Sequence, residues 1–211
     1  MEVKNTYNKI IAEKLICNFK KRGIEGCYFE NSKSLIPYIK ELIPDGALVS
    51  WGGSMTLNDT GIFEFLRKGN YKVLDRDAGH TPEKLMQVFI DSFSADYYFT
   101  GTNAITIDGK LVNVDGRGNR IAAMSFGPKN VIVVSGLNKV VKDEEEAISR
   151  IKNYAAPLNA IRLKKETPCV SNGKCGDCFE PGCICSYTVI TRKSNIPGRI
   201  KVFLVGEDLG Y

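Results

Sequence analysis

Short apolar runs alternate along the chain with longer segments whose apolar residues recur at helical spacing. The runs predict strands, and they cover residues 26–29, 47–51, 71–75, 95–100, 130–134 and 199–205. The segments with helical spacing cover residues 2–22, 34–43, 56–68, 119–126 and 143–154, and one more begins with Pro82. Strands that alternate with helices predict an α/β fold with a largely parallel sheet.

Two local patterns add detail to this prediction. Residues 104–107 and 111–114 flank Asp108-Gly109, which predicts a β-hairpin. In the first helix, helical spacing places seven residues on one face, which we expect to be buried: Val3, Tyr7, Ile10, Ile11, Lys14, Leu15 and Asn18.

Three glycine-containing turns follow predicted strands and precede helices or strands. Ligands of α/β sheets bind at the carboxyl ends of strands, where glycines allow close approach and backbone N–H groups hold anions. The candidate ligand-binding residues are Gly52, Gly53, Ser54 and Thr56, then Gly101, Thr102 and Asn103, and then Gly116, Gly118, Asn119 and Arg120. The alternative is that each turn is an ordinary cap in which Gly, Ser, Thr and Asn serve conformation alone.

Common catalytic and nucleotide-binding motifs are absent from the sequence. Neither G-x-G-x-x-G nor G-x-x-x-x-G-K-[ST] occurs, so the dinucleotide-binding and P-loop hypotheses lose their main support. His80 is the only histidine, and it lies just before a helix cap, which disfavours a catalytic triad. Asp108 and Asp115 are possible acids or bases, although aspartate beside glycine usually forms turns.

Composition predicts a cytoplasmic protein with reduced thiols. The 211 residues are 43% hydrophobic and 25% charged, with a net charge of +5. No run approaches the roughly 18 apolar residues of a membrane span, and the N-terminus lacks the apolar core of a secretory signal. The basic residues are neither clustered nor interleaved with aromatics, so we expect no nucleic-acid partner and no membrane partner.

Five of the seven cysteines lie between positions 169 and 185, with the spacing C-x5-C-x2-C-x4-C-x1-C. In a reducing compartment such a cluster indicates a metal site, and a disulfide scaffold is the alternative. Four thiolates suit Zn²⁺ or a [4Fe–4S] cluster, so one of the five is surplus. Cys17 and Cys27 lie far from the cluster, and we expect them to be small core residues.

The three turns together carry a family resemblance. Gly-Gly-Ser-x-Thr-Leu, Thr-Gly-Thr-Asn-Ala-Ile-Thr and Asp-Gly-x-Gly-Asn-Arg resemble motifs of the lactate-utilisation (LUD) domain family. Further matches are Phe126-Gly127-Pro128, residues 130–141 and Pro197-Gly198-Arg199-Ile200, so the resemblance spans nearly the whole chain in order.

The resemblance implies one LUD domain over residues 1–211, with a three-layer α/β/α fold similar to the NagB/RpiA/CoA-transferase fold. It makes residues 164–193 a cysteine-rich, metal-binding insertion before the last strand. It also makes the turn residues a pocket wall, with Arg120 as the partner of a carboxylate or phosphate. Among the thiols, the resemblance implies the ligands Cys169, Cys175, Cys178 and Cys185, with Cys183 as the spare or the substitute.

Some members of this family belong to operons that oxidise L-lactate beside iron–sulfur subunits. The resemblance therefore implies a small anionic ligand, a [4Fe–4S] cluster slightly favoured over zinc, and an accessory subunit of electron transfer. Two alternatives remain: a non-catalytic binding module with structural zinc, and a transferase or ligase acting on CoA or folate substrates. Glu64, Glu83 and Glu207 do not occupy an obvious nucleophile position, which disfavours a transferase.

Overall fold

The computed structural model describes residues 2–211, and the chain forms two β-sheets. The ten strands are β1 (Glu25–Phe29), β2 (Leu48–Trp51), β3 (Lys72–Leu74), β4 (Tyr97–Thr100), β5 (Ala104–Thr106), β6 (Leu111–Asp115), β7 (Asn130–Gly136), β8 (Val140–Val141), β9 (Tyr187–Thr191) and β10 (Ile200–Val205). The main sheet has six parallel strands in the order β1-β10-β7-β4-β2-β3. This confirms the predicted α/β fold with a largely parallel sheet.

The second sheet is mixed and contains the predicted hairpin. Its order is β8-β5-β6-β9, and the antiparallel pair β5–β6 aligns Ala104 with Val112. The turn passes through Gly109, whose φ of 92° suits a residue without a β-carbon. β9 pairs antiparallel with β6 and lies inside the segment predicted as an insertion, so that segment is partly a strand of the domain's own sheet.

Nine helices flank the sheets in the part of the chain that the structure describes. They are α1 (Glu2–Lys21), α2 (Leu35–Leu42), α3 (Met55–Asp59), α4 (Ile62–Lys68), α5 (Pro82–Asp91), α6 (Asn119–Ser125), α7 (Glu144–Arg150), α8 (Ala156–Arg162) and α9 (Pro168–Asn172). Helices α2 to α4 bury Leu35, Ile62 and Leu66 in one core with the main sheet. On the opposite face, α1 shares a core with main-sheet strands and with the hairpin, while α7 packs on the other side of the second sheet.

The buried face of α1 differs from the predicted one. Asn8, Ala12, Leu15 and Phe19 are buried, whereas Val3, Tyr7 and Ile10 are exposed. The side-chain amide of Asn8 donates to the carbonyl oxygen of Gly206 at 3.1 Å, so a polar residue occupies part of the buried face. The prediction for Cys17 was also wrong, because Cys17 is exposed; Cys27 packs partly buried against the core.

Two predicted helices have different bounds in the structure. The segment 56–68 is two helices, because Gly61 lies between them with a φ of 71° and is the N-cap residue of α4. The segment 143–154 continues further, since a π-helical turn at Ile151–Ala155 joins α7 to α8. Pro157 has no N–H group to donate to a preceding carbonyl, which accounts for an irregular turn at this place.

Within residues 2–211, no helix combines the length and the apolar character that crossing a membrane requires.

Candidate functional site

The candidate site lies at the carboxyl ends of β2, β4 and β7. From β2 the chain moves to β3 on one side, whereas β4 pairs with β2 on the other side. Such a reversal opens a crevice in which α/β proteins bind ligands. Two predicted turns follow β2 and β4 into this crevice, and the N–H of Gly52 donates to the carbonyl of Phe99 at 2.9 Å.

Local capping fixes where the helices at the crevice begin. The Ser54 hydroxyl accepts from the N–H of Leu57 at 3.3 Å, which caps α3. Gly118, with a φ of 84°, is the residue before α6, and it places Arg120 in the first turn of that helix. Strand ends and caps therefore set the positions of the polar side chains before any ligand is present.

Arg120 ties the turns together. One terminal nitrogen donates to Asn113 Oδ1 at 2.6 Å and to the carbonyl of Gly101 at 3.3 Å. The other donates to Asn103 Oδ1 at 3.1 Å and to the carbonyl of Val114 at 2.9 Å. Nε lies 3.5 Å from Asp115 Oδ2.

These contacts give both terminal nitrogens of the guanidinium protein acceptors, whereas Nε has an ion pair with Asp115 and no hydrogen bond among the described residues. The Arg120 side chain is only 11% exposed. Burial lowers its pKa below the ordinary arginine value, while Asp115 acts in the opposite direction. Arg120 therefore braces the crevice, and its binding of a ligand carboxylate or phosphate stays a prediction.

A cavity of about 360 Å³, here called the outer cavity, opens beside this network. Its wall carries five basic side chains: Arg76, Arg117, Arg120, Arg162 and Lys165. Asp115 is the single acidic residue among the described lining residues. Because like charges lie around a concave surface, the outer cavity favours an anion.

A smaller space of about 50 Å³, here called the inner cavity, shares Asn103, Asn159 and Arg120 with the outer one. Lys139 and Tyr211 also line the inner cavity. Lys139 is 3% exposed, and its amine donates to Thr56 Oγ1 at 2.8 Å. Burial, with repulsion from Arg150 and Arg120, lowers the pKa of Lys139 to about 7, while Asp59 raises it.

Most of the predicted ligand residues lie on one of the two cavity walls. Ser54, Gly101 and Thr102 line the inner cavity, Gly53, Gly116 and Asn119 line the outer one, and Asn103 and Arg120 line both. Three lie elsewhere. Thr56 is buried beneath Lys139, and Gly118 lines an apolar groove. Gly52 packs against Arg120, since a β-carbon there would lie 3.0 Å from Arg120 Cδ.

The residues that sequence reasoning missed are mostly basic and lie far apart in the chain. Arg76 follows β3, whereas Arg162 and Lys165 lie at and beyond the end of α8. Lys139 lies in a short 3₁₀ turn after β7. Of these, only Lys139 has a sequence signal, because it lies within residues 130–141, which carry part of the family resemblance; the others depend on tertiary contacts.

A third cavity, of about 310 Å³ and here called the cysteine cavity, brings together the clustered thiols. All five cysteines of the cluster line it: Cys169, Cys175, Cys178, Cys183 and Cys185. All are free thiols. Ile151 and Lys152 of the π-helical turn also line the cavity, and the carbonyl of Lys152 accepts from the N–H of Cys175 at 2.9 Å.

The thiols have few close polar partners. The Thr167 hydroxyl lies 3.2 Å from Cys169 Sγ, and the N–H of Asp177 donates to Cys175 Sγ at 3.4 Å. Burial, together with the neighbouring thiols of Cys183, Cys175 and Cys169, raises the pKa of Cys185 to about 12. Across residues 2–211, no three Cys, His, Asp or Glu side chains are placed to hold one metal ion. A metal centre here therefore stays a prediction, under which at least three of these thiols would move closer together.

The cysteine cavity and the outer cavity share a wall. Val114 and Ile184 line both of them. Gly116 makes this closeness possible, because a β-carbon on it would lie 3.1 Å from the Ile184 Cα. Ile184 separates Cys183 from Cys185, so residues 169–185, here called the cysteine segment, form part of the boundary of the outer cavity.

The sequence matches the LUD domain family over residues 12–205. The chain belongs to the LUD domain family. No curated protein matches it.

One solved structure supports the fold of this LUD domain, and two with lower scores are also similar. A DUF162 family protein from Deinococcus radiodurans matches with a TM-score of 0.55 and 14% identity, covering 94% of this chain and 98% of the other. The 5-methylthioribose 1-phosphate isomerase of Pyrococcus horikoshii OT3 has a TM-score of 0.39 and 14% identity, covering 77% and 51%. Ribose 5-phosphate isomerase from Plasmodium falciparum has a TM-score of 0.34 and 15% identity, covering 59% and 65%. Similarities at this level say nothing about function.

The LUD domain's other motifs have a structural explanation. Arg199 is buried, and its guanidinium donates to the carbonyls of Ala123 and Met124 at 3.1 and 2.8 Å. Its Nε donates to the carbonyl of Pro128 at 2.8 Å. Arg199 therefore satisfies the last carbonyls of α6 and holds the following turn, which is how the motifs around residues 127 and 198 support the helix that carries Arg120.

Proposed function

We propose that this lactate-utilisation-related LUD protein binds a small anionic ligand, a carboxylate or a phosphate ester, in the outer cavity. The observation that carries the proposal is the set of five basic side chains around one cavity with a single acidic residue, Asp115. Oligonucleotides and membrane surfaces are poor matches for a concave site of about 360 Å³. A metabolite with one or two anionic groups suits its size and charge.

Within the outer cavity, the basic residues differ in how far the protein already uses them. Both terminal nitrogens of Arg120 donate to protein acceptors. The exposed Arg162 donates to Asn159 Oδ1 at 2.8 and 3.1 Å. The buried Nε of Arg76 has no hydrogen-bond acceptor within the described structure and lies 3.4 Å from Asp77 Oδ1. Arg76 and Arg162 are therefore the side chains we propose for the ligand, and Arg120 holds the wall behind them.

The cysteine cavity supports the second part of the proposal, a four-cysteine metal centre. A bound [4Fe–4S] cluster would supply one-electron transfer, and bound zinc would brace the segment. Cys169, Cys175, Cys178 and Cys185 are the proposed ligands, with Cys183 as the substitute. With a cluster in place, the protein would act as an electron-transfer accessory subunit beside iron–sulfur partners of L-lactate oxidation.

Two other functions remain as alternatives. A binding module with structural zinc uses the same cavities without electron transfer. A CoA- or folate-dependent transferase needs a nucleophile near the ligand, and Asp115 is the only carboxylate among the described lining residues of the outer cavity. Asp115 faces Arg120 instead of standing free, which favours the binding proposal.

Anion binding is tested by calorimetric titration of the purified protein with L-lactate and with inorganic phosphate at low salt. We expect binding that weakens at least about tenfold in Arg162→Ala, because one charge-assisted contact contributes about 1.5–3 kcal/mol. Arg192→Ala, an exposed arginine outside the described cavity lining, is the matched control and should bind normally. Equal binding by both variants would remove Arg162 from the site.

The metal centre is tested by anaerobic purification followed by metal and sulfide analysis. Brown protein with iron and sulfide supports the cluster, and colourless protein with stoichiometric zinc supports the structural alternative. Cys183→Ser should keep the metal, whereas Cys178→Ser should lose it. Protein that remains metal-free and folded after reconstitution with iron and sulfide, or with zinc, would overturn both versions.

A further inference from the structure

Lys139 is a buried amine that the anion site does not account for. It follows β7 and reaches the inner cavity, where Nζ contacts Thr56 Oγ1 at 2.8 Å. No carboxylate oxygen lies within 4 Å of Nζ among residues 2–211, although a buried lysine ordinarily has such a partner. The amine therefore faces a small cavity with a hydroxyl as its hydrogen-bond partner and no counter-ion.

The charged groups around Lys139 favour the neutral amine. Arg120 of α6 and Arg150 of α7 repel a positive charge on it, and Asp59 of α3 is the one acidic side chain that favours the charge. Both arginines are held by the protein, since Arg150 donates to the carbonyl of Asn103 at 2.8 Å. At neutral pH a substantial fraction of Lys139 is therefore unprotonated and nucleophilic.

The inner cavity adjoins the outer one, with Asn103, Asn159 and Arg120 on both walls. A ligand whose anionic group lies among Arg76, Arg162 and Lys165 can extend a small uncharged group toward Lys139. About 50 Å³ admits a carbonyl group but no second ring or chain. Ser54 and Tyr211 hydroxyls lie on the same wall as possible donors to a carbonyl oxygen.

We propose that Lys139 is a covalent-binding residue, which forms an imine with the carbonyl carbon of a small anionic aldehyde or keto acid. This inference deepens the proposed function and rests on the outer cavity as the anion site. It narrows the ligand from any carboxylate or phosphate ester to one that carries a carbonyl beside the anionic group.

The step balances without an oxidant or a reductant. The nitrogen lone pair of Lys139 forms a bond to the carbonyl carbon, and the carbonyl π electrons move to oxygen, which takes up a proton. The first of the two nitrogen protons is transferred to this oxygen, which gives a carbinolamine. The second proton then goes to the hydroxyl group, the C–O bond breaks as the nitrogen lone pair forms the C=N bond, and one water molecule leaves. Amine and carbonyl compound thus give an imine and water, and hydrolysis returns both.

Reductive trapping tests the proposal in the full-length protein. Glyoxylate serves as the anionic probe and acetaldehyde as the neutral probe, each with cyanoborohydride at pH 7, and modified lysines are identified by peptide mass spectrometry. We expect glyoxylate to modify Lys139 at least about tenfold faster than the exposed Lys40, because a pKa lowered to about 7 leaves about half of the Lys139 amine neutral and nucleophilic at this pH. Lys139→Arg keeps the positive charge and should give no adduct at position 139.

The two probes distinguish failure of the covalent step from failure of the anion site. Inorganic phosphate should slow glyoxylate modification of Lys139 and leave acetaldehyde modification less affected. If both aldehydes modify Lys139 equally and phosphate has no effect, the nucleophilic amine stands and the anion site is wrong. If neither aldehyde modifies Lys139 while Lys40 reacts, the covalent proposal is overturned, even where calorimetry has shown anion binding.

Discussion

The glycine turns of the crevice and the glycines of the cysteine segment occur in similar local sequence, yet their surroundings differ. A β-carbon on Gly101 would lie 2.7 Å from Ser54 Oγ, and one on Gly116 would lie 3.1 Å from the Ile184 backbone. Around Gly173 and Gly176, no atom would come within 4 Å. Gly101 and Gly116 in the crevice thus permit close packing, whereas Gly173 and Gly176 in the cysteine segment lie in open surroundings.

The hydrogen bonds differ in the same way. Acceptors from β6 and from the turn after β4 converge on Arg120, which holds the wall of the outer cavity in place. The cysteine segment is held by a few backbone contacts and by the exposed ion pair of Lys152 with Asp177, at 2.5 Å. The tightly hydrogen-bonded crevice and the loosely held cysteine segment thus share the wall at Ile184.

The largest effect is expected for Arg120→Ala. Removing the guanidinium leaves the carboxylate of Asp115 without its cationic partner and takes one of two donors from the side-chain oxygens of Asn103 and Asn113, which costs about 3–5 kcal/mol of unfolding free energy. Urea unfolding measures the loss. Arg117→Ala, an exposed neighbour on the same wall, should change stability by no more than about 0.5 kcal/mol. Equal losses in the two variants would contradict the bracing role.

The second effect depends on pH and concerns Lys139→Met. The pKa of Lys139 is lowered to about 7, so between pH 7 and 10 the unfolded chain binds more protons at this residue than the folded protein does. Stability contributed by this residue therefore rises with pH across that window. The stability of the natural protein relative to Lys139→Met should increase by on the order of 1–3 kcal/mol from pH 7 to pH 10. Urea unfolding at both pH values measures it, and Lys40→Met should show no such trend.

A matched pair of glycine substitutions tests the packing difference directly. Gly101→Ala should cost about 1–3 kcal/mol, because its β-carbon displaces the Ser54 hydroxyl that caps α3. Gly176→Ala meets open space and should stay within about 0.5 kcal/mol of the natural protein. Thermal unfolding compares the two variants. A larger loss of stability at position 176 would contradict the difference in packing between the crevice and the cysteine segment.

The smallest effect on global stability is expected from metal loading, which should mainly change how readily a protease cuts the cysteine segment. Lys174 is exposed between two glycines that have open surroundings, so trypsin should cut there first in the metal-free protein. Reconstitution with iron and sulfide, or with zinc, should slow that cut while leaving cleavage elsewhere unchanged. Lys174→Gln serves as the control that identifies the band. An unchanged rate after loading would argue against contraction of the segment.

Local patterns were sufficient to predict the six strands of the main sheet and the hairpin, because strand-forming runs and the Asp-Gly turn depend on near neighbours. They were insufficient for the buried face of α1, where the contact of Asn8 with Gly206 outweighs apolar periodicity. They also missed β9, whose side chains are mostly exposed, because this strand forms by pairing with β6, some 75 residues earlier in the chain. The glycine turns were located from sequence, and their assembly around Arg120 was not.

The sequence by itself determined the α/β fold, the family, the turns at the strand ends and the cluster of thiols, since each depends on residue types at short spacing. Tertiary structure alone decided that Arg76, Arg162 and Lys165 surround one cavity and that Arg120 is already engaged by protein acceptors. It also decided that Lys139 is buried with no carboxylate beside it among the described residues, and that Ile184 lines both the cysteine cavity and the outer cavity. Burial and charge at a site are sums over elements distant in the chain, and no local window of sequence contains them.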